Sequence, residues 1–122
     1  MTRVLVIDDD PSIRQLIVYA LGDEGYQVDE AADGHAALQL IGQQHPDILL
    51  VDMKMPHMDG WEFVKLYRAR YDHRAPIIVL TAARDAAQRG ADVDAECTIA
   101  KPFDLDVLVE RVAFLARPII AD

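Results

Sequence analysis

The sequence predicts an α/β fold in which helices cover both faces of one parallel β-sheet. Two observations support this prediction. Five short, mainly apolar runs alternate along the chain with longer segments of helical period. Several of these runs are apolar at successive positions, as in strands that are buried on both faces. With right-handed crossovers, this alternation gives a doubly wound five-stranded sheet between two layers of helices.

The first strand and helix have clear boundaries. Residues 4–7 form a run of branched apolar side chains that stops at acidic residues. Residues 12–23 then carry apolar side chains at spacings of three and four, which indicates one buried helix stripe. Asp10 is a good N-cap, Pro11 suits the first helical position, and Gly25 can end the helix.

The next elements repeat the pattern. Residues 27–31 predict a weaker strand, and Asp33 with Gly34 predicts a turn. A second helix should run from Ala36 to a point before Pro46. The strand at 47–52 is apolar on both faces between its two terminal aspartates.

The second half of the chain supplies the remaining strands and helices of the predicted fold. A Pro- and Gly-containing loop at 53–60 precedes a helix, and the helix after residue 81 is short and polar. The last helix has an inward apolar stripe and is stopped by Pro118. We expect helices at 61–71, 85–91 and 104–117, and strands at 76–81 and 97–100.

Composition and charge exclude several classes of function. The chain has 122 residues, which is enough for one domain, and its net charge is −9. Such an acidic surface disfavours direct binding to nucleic acid or to anionic membranes. A single cysteine excludes an internal disulfide, and the N-terminus lacks the apolar run of a signal peptide. These features favour a cytoplasmic protein without a membrane span.

Polar side chains stand where the apolar strands end. The first strand is followed by Asp8 and Asp9, the third ends at Asp52, the fourth at Thr81 and the fifth before Lys101. Because the carboxyl ends of parallel strands share one edge of the sheet, we expect these residues to converge there. Three aspartates so close together would repel one another, and a hard divalent cation such as Mg²⁺ relieves that repulsion.

The same residues suit phosphoryl transfer. Three ionised aspartates, one lysine ammonium and one divalent cation carry no net charge together, so the site can accept a phosphoryl group. A carboxylate can act as the nucleophile and become an aspartyl phosphate. Lys101 would neutralise one phosphoryl oxygen, and the Thr81 hydroxyl would donate a hydrogen bond to another.

Four motifs, in this order, resemble the receiver domain of two-component response regulators. The resemblance extends from Arg3 to Ala116. The motifs are VIDDDPS at 6–12, DMKMPHMDG at 52–60, LTA at 80–82 and KPF at 101–103.

The resemblance implies a flavodoxin-like (βα)5 fold with strand order 2-1-3-4-5. It also implies that Asp52 accepts a phosphoryl group from a histidine kinase or phosphotransfer protein. Asp9 and Asp52 would bind Mg²⁺ directly, Asp8 through water, and Lys54 through its backbone carbonyl. Thr81 and Lys101 would contact the phosphoryl group, and the peptide bond between Lys101 and Pro102 would be cis.

The resemblance also defines the expected domain and its output. Residues 1–122 would form a single receiver domain with its core at about 3–116, leaving 117–122 as a tail or linker stub. The domain would be a regulatory phosphoacceptor rather than an enzyme, limited to self-catalysed phosphotransfer and autodephosphorylation. By family analogy, an output partner or domain would bind the face formed by the fourth helix, the fifth strand and the last helix. Thr98 stands where many receivers have an aromatic switch residue.

Two other functions are compatible with parts of the pattern. A phosphatase of the haloacid dehalogenase type also has an Asp-x-Asp motif after its first strand, which Asp8 to Asp10 fits, but it would leave Asp52 without a role. An interaction module that keeps the fold and never takes phosphate would not need the complete set of site residues. Labelling that is lost on Asp52→Asn distinguishes a receiver from both alternatives.

Overall fold

Five parallel strands form one sheet in the order β2-β1-β3-β4-β5, as predicted. The computed structural model describes residues 2–72, 74–82 and 94–116. Each observed strand lies within a residue or two of its predicted position. The strands are β1 (Arg3–Ile7), β2 (Gln27–Ala31), β3 (Ile48–Asp52), β4 (Ile77–Ala82) and β5 (Cys97–Lys101).

Helices connect the strands, and three of them begin at an aspartate cap. Asp10, Asp33 and Asp59 each accept backbone N–H groups of the following turn. The Asp33 cap starts its helix two residues before the predicted position. The helices are α1 (Pro11–Asp23), α2 (Gly34–Gln43), α3 (Gly60–Arg70) and α4 (Leu105–Ala116). The predicted helix at 85–91 and the expected tail at 117–122 lie outside the described residues.

The helices pack on both faces of the sheet because successive strand residues point to opposite sides. One core lies under α2 and α3, and the other lies under α1 and α4. The first includes Leu5, Ile7, Leu49, Val51, Ile77, Val79, Ile41, Phe63, Val64 and Tyr67. The second includes Val4, Val6, Ile48, Leu50, Ile78, Leu80, Ile17, Leu21, Leu108 and Val112.

The register of the strands brings their carboxyl ends level. Ile7 pairs with Val51 across β1 and β3, so Asp8 follows its strand at the height where Asp52 ends β3. Thr81 pairs with Ala100 across β4 and β5, one residue before Lys101. The sheet therefore presents these side chains along one edge.

The described helices are short. The longest of them, α1, has 13 residues. Among residues 2–72, 74–82 and 94–116, no helix combines the length and apolar character that a membrane crossing requires.

Candidate functional site

Three aspartates meet at the carboxyl edge of the sheet. One carboxylate oxygen from each of Asp8, Asp9 and Asp52 lies within 4.8 Å of the others. Asp8 is fully buried and Asp52 is 4% exposed, whereas Asp9 faces solvent. The predicted convergence of the N-terminal acids with the end of β3 is therefore confirmed.

Asp8 is held by hydrogen bonds to Ala31, Asp10 and Arg14, in addition to Lys101. Its backbone N–H donates to the carbonyl of Ala31 at 3.1 Å, which extends the pairing of β1 with β2. Its Oδ1 accepts the backbone N–H of Asp10 at 3.0 Å, and its carbonyl accepts Nη1 of Arg14 at 2.9 Å. No local sequence signal predicts this contact of Arg14, because an arginine on the polar side of a helix is usually solvated.

Asp52 is fixed by its own loop and by Lys101. Its Oδ1 accepts the backbone N–H of Lys54 at 3.2 Å. The Lys101 ammonium lies 3.3 Å from Asp52 Oδ1 and 3.4 Å from Asp8 Oδ2, so one cation faces two buried carboxylates. The predicted position of Lys101 beside the acids is thus confirmed.

The loop after β3 closes against Asp52 through a glycine. The backbone N–H of Gly60 donates to the carbonyl of Met53 at 3.0 Å. A Cβ built on Gly60 would lie 2.7 Å from the backbone oxygen of Asp52 and 2.8 Å from the Met53 Cα. Only glycine lets α3 begin this close to the end of β3 without displacing the backbone.

Burial and charge shift the pKa of Asp52. Loss of hydration and the nearby Asp8 carboxylate raise this pKa, while Lys101 and the Lys54 N–H lower it, and together they bring it from 3.8 to about 6. Three carboxylates meet at this site and Lys101 supplies one ammonium beside them, so negative charge is left over. The oxygen donors and this residual charge fit a hard divalent cation such as Mg²⁺.

An open groove leads to the acid cluster. Its volume is about 1180 Å³. Asp9, Asp52, Thr81 and Lys101 line it, and the Thr81 side chain is 6% exposed. Apolar side chains also line it, namely Ile13 and Leu16 of α1, Phe103 after β5 and Leu105 at the start of α4.

The structure brings together all the residues that the sequence predicted for the site. Asp8, Asp9 and Asp52 lie within 4.8 Å of one another, Lys101 is paired with Asp8 and Asp52, and Lys54 and Thr81 line the groove. The peptide bond between Lys101 and Pro102 is cis, as the resemblance implied. Asp10 has a different role from its two acidic neighbours, since its side chain caps α1.

Comparison with known proteins agrees with this geometry. Residues 4–113 match the family model described as the response regulator receiver domain. The response regulator MprA of Mycolicibacterium vanbaalenii is 39% identical over 117 residues, a match that covers 94% of this chain and 50% of MprA. The chain thus spans about half the length of the curated relatives it matches.

Solved structures show the same fold. The chemotaxis response regulator CheY4 of Vibrio cholerae superposes with a TM-score of 0.83 at 37% identity, covering 94% of this chain and 98% of CheY4. The response regulator TrrA of Thermotoga maritima, solved in complex with Mg(2+)-BeF, gives a TM-score of 0.82 at 33% identity, covering 94% and 99% of the two chains. Since the family model extends over nearly the whole sequence, this chain belongs to the response regulator receiver domains of two-component systems.

Proposed function

We propose that Asp52 is the phosphoacceptor, and that it takes its phosphoryl group from a histidine kinase or phosphotransfer protein. One observation supports this assignment above the others. Asp52 is the buried carboxylate whose pKa is raised to about 6, and it lies 3.3 Å from the Lys101 ammonium at the end of an open groove. At neutral pH this carboxylate is still mainly ionised, so it is available as a nucleophile.

The transfer step follows from the positions of these side chains. A carboxylate oxygen of Asp52 forms a bond to phosphorus, and the bond from phosphorus to the donor nitrogen breaks with its electron pair on the nitrogen. The Lys101 ammonium lies between Asp52 and Asp8, where it can contact a phosphoryl oxygen. The Thr81 hydroxyl, at the end of the neighbouring strand, donates a hydrogen bond to another oxygen.

Asp9 and Asp52 would hold Mg²⁺ directly, Asp8 would act through water, and Lys54 would contribute its backbone carbonyl. These ligands are supported by the distances between the three aspartates, since one carboxylate oxygen of each lies within 4.8 Å of the other two. When bound, the ion would neutralise charge on the transferred phosphoryl oxygens. The Mg(2+)-BeF complex of TrrA offers a parallel from a protein of the same family.

We propose that the domain is a regulatory phosphoacceptor rather than an enzyme with multiple turnovers. Its own chemistry would be limited to self-catalysed phosphotransfer and hydrolysis of its aspartyl phosphate. Asp52 would have no role in a haloacid-dehalogenase-like phosphatase, and the complete site disfavours an interaction module that takes no phosphate. The comparisons favour neither of these alternatives.

Phosphorylation would switch a surface recognised by an output partner or domain. By analogy with the family, this surface is the face of the fourth predicted helix, β5 and α4, of which residues 85–91 lie outside the described residues. The net charge of −9 argues against direct contact with nucleic acid. We propose that the protein acts in the cytoplasm. Residues 1–122 would act as a single receiver domain with its core at about 3–116.

Intact-mass measurement after incubation with acetyl phosphate and Mg²⁺ tests the assignment. We expect the parent protein to gain the mass of one phosphoryl group and Asp52→Asn to gain none. Asp72→Asn is the matched control, because it removes an exposed carboxylate after α3 and should label like the parent.

Two results would contradict the proposal. The first is labelling that persists in Asp52→Asn, which would move the acceptor elsewhere. The second is catalytic release of phosphate from p-nitrophenyl phosphate without stable labelling, which would favour the phosphatase.

A further inference from the structure

We propose that Arg14 is a positioning residue for the acid cluster and that it sets the affinity of the site for Mg²⁺. This inference rests on the proposed function, because it assumes that the cluster of Asp8, Asp9 and Asp52 holds the ion. Within the described part of the chain, the Arg14 side chain bonds Glu30 and the Asp8 carbonyl and none of the three carboxylates. It acts on the backbone that carries two of them.

Arg14 fastens the turn between β1 and α1 at three points. Its backbone N–H donates to the carbonyl of Asp10 at 2.9 Å, which starts the helix. Its side-chain Nη1 donates to the carbonyl of Asp8 at 2.9 Å, and its Nε donates to Oε1 of Glu30 on β2 at 2.8 Å. Asp9 lies between the two carbonyls that Arg14 binds, so its backbone is confined from both sides.

The Asp8 carbonyl needs this partner because of where β1 ends. The Asp8 N–H still pairs with the Ala31 carbonyl, but Ala31 is the last residue of β2. Asp8 is fully buried, and a buried carbonyl that is left without a hydrogen-bond donor destabilises the fold. Because β2 ends at Ala31, the Arg14 guanidinium donates to the Asp8 carbonyl where a further residue of β2 would otherwise have done so.

Glu30 keeps the guanidinium in position without adding net charge. The Arg14 side chain is 16% exposed and that of Glu30 is 45% exposed, so the pair lies at the rim of the fold. Because Glu30 is negative and Arg14 is positive, the pair adds little net charge near the acid cluster. Arg14 therefore contributes geometry, since a positive charge by itself would repel Mg²⁺.

Positioning by Arg14 and a pure effect of its charge predict opposite changes in Mg²⁺ affinity. If Arg14 positions the turn, Arg14→Gln should weaken Mg²⁺ binding about tenfold, as is typical when a residue that orients a metal ligand is removed. If Arg14 acts only through its charge, Arg14→Gln should bind Mg²⁺ more tightly. Arg14→Lys keeps the charge but lacks a planar fork for two acceptors, so positioning predicts weaker binding for this variant also.

Arg3 provides the matched control. Its Nη1 bonds Asp29 at 2.7 Å, so Arg3→Gln removes an arginine–carboxylate bond to β2, the strand that also carries Glu30, but at the end of β1 away from the acid cluster. Titration calorimetry with MgCl₂, without a phosphodonor, measures the affinity of each variant directly. Thermal unfolding in EDTA measures what each substitution costs the fold.

We expect Arg14→Gln and Arg14→Lys to lose about tenfold in affinity while Arg3→Gln stays within about twofold of the parent. Affinities of both Arg14 variants within twofold of the parent, or an equal loss in Arg3→Gln, would overturn the inference.

If the Arg14 variants do not fold, Glu30→Ala and Glu30→Gln decide the question. Both variants remove the same charge, but only the alanine also removes the acceptor that holds the guanidinium, so Glu30→Ala should bind Mg²⁺ more weakly than Glu30→Gln. Equal affinities of these two variants would also overturn the inference. A parent protein that binds no Mg²⁺ would contradict the proposed metal site itself, which separates that failure from failure of the role of Arg14.

Discussion

Replacing Asp52 with asparagine should stabilise the protein at neutral pH. Burial and the Asp8 carboxylate raise the pKa of Asp52 from 3.8 to about 6, so the folded state binds a proton more tightly than the unfolded chain. For a group with a raised pKa, stability is fully present below pH 3.8 and falls as the pH rises to about 6. Asparagine has no charge to lose, so this fall should disappear in the variant.

The size of the effect follows from the same shift. Each pH unit between 3.8 and about 6 corresponds to about 1.4 kcal/mol, so the ionised Asp52 costs the fold about 3 kcal/mol. At pH 7.5 the variant should be more stable than the parent by up to this amount. At pH 3.5 the two proteins should be nearly equal, because Asp52 is then protonated in both states.

Urea unfolding in EDTA across pH 3.5 to 7.5 measures this difference. Asp72→Asn serves as the control, since it removes an exposed carboxylate and should change stability by less than about 0.5 kcal/mol. The reasoning fails if Asp52→Asn is no more stable than the parent at pH 7.5. It also fails if the advantage of the variant is the same at pH 3.5, because protonation of Asp52 would then not be its cause.

Three further predictions concern the supports of the site and the core. Gly60→Ala should destabilise the protein by about 2 kcal/mol in urea unfolding, because the added Cβ would lie 2.7 Å from the Asp52 carbonyl oxygen. Gly22→Ala is the control: its Cβ would meet no atom within 4 Å, so this variant should be more stable by about 0.5 kcal/mol. Tyr67→Phe should lower the free energy of unfolding by about 1–3 kcal/mol in the same assay. The reason is that the buried Tyr67 hydroxyl accepts the backbone N–H of Ala75 at 2.8 Å, and this N–H would lose its partner. A loss below about 0.5 kcal/mol would contradict this reasoning. Lys101→Met should raise the pKa of Asp52 above about 6, because the Lys101 ammonium lowers that pKa in the parent. Carboxyl carbon NMR measures this pKa, and an unchanged or lower value would mean that the ion pair is absent in solution.

The sequence predicted the elements and the edge of the sheet where the site lies. Runs such as those of β3 and β4 are apolar on both faces, and helix caps such as Asp10 act within a few residues. Such signals are local, so the fold class and strand order followed from them together with the receiver motifs, and the structure confirms both. The proximity of Asp8 to Asp52 followed from the common direction of parallel strands. The roles proposed for the site residues in binding and transfer stay predictions.

Some contacts depend on packing that no local pattern records. Lys101 is 93 positions from Asp8, and its distances to two carboxylates depend on the register of the strands between them. Tyr67 packs in the core under α2 and α3, yet its hydroxyl also contacts His45 at 3.0 Å. Both contacts join side chains from distant segments.

The sequence by itself determined which residues could form a strand, cap a helix or supply an oxygen ligand, because these properties depend on near neighbours along the chain. Only the tertiary structure decided that Arg14 of α1 bonds the Asp8 carbonyl and Glu30 of β2. It also decided how deeply Asp52 is buried, and hence the direction in which its pKa moves. The physical reason is that hydration and side-chain pairing depend on what surrounds a group in space, which packing alone establishes.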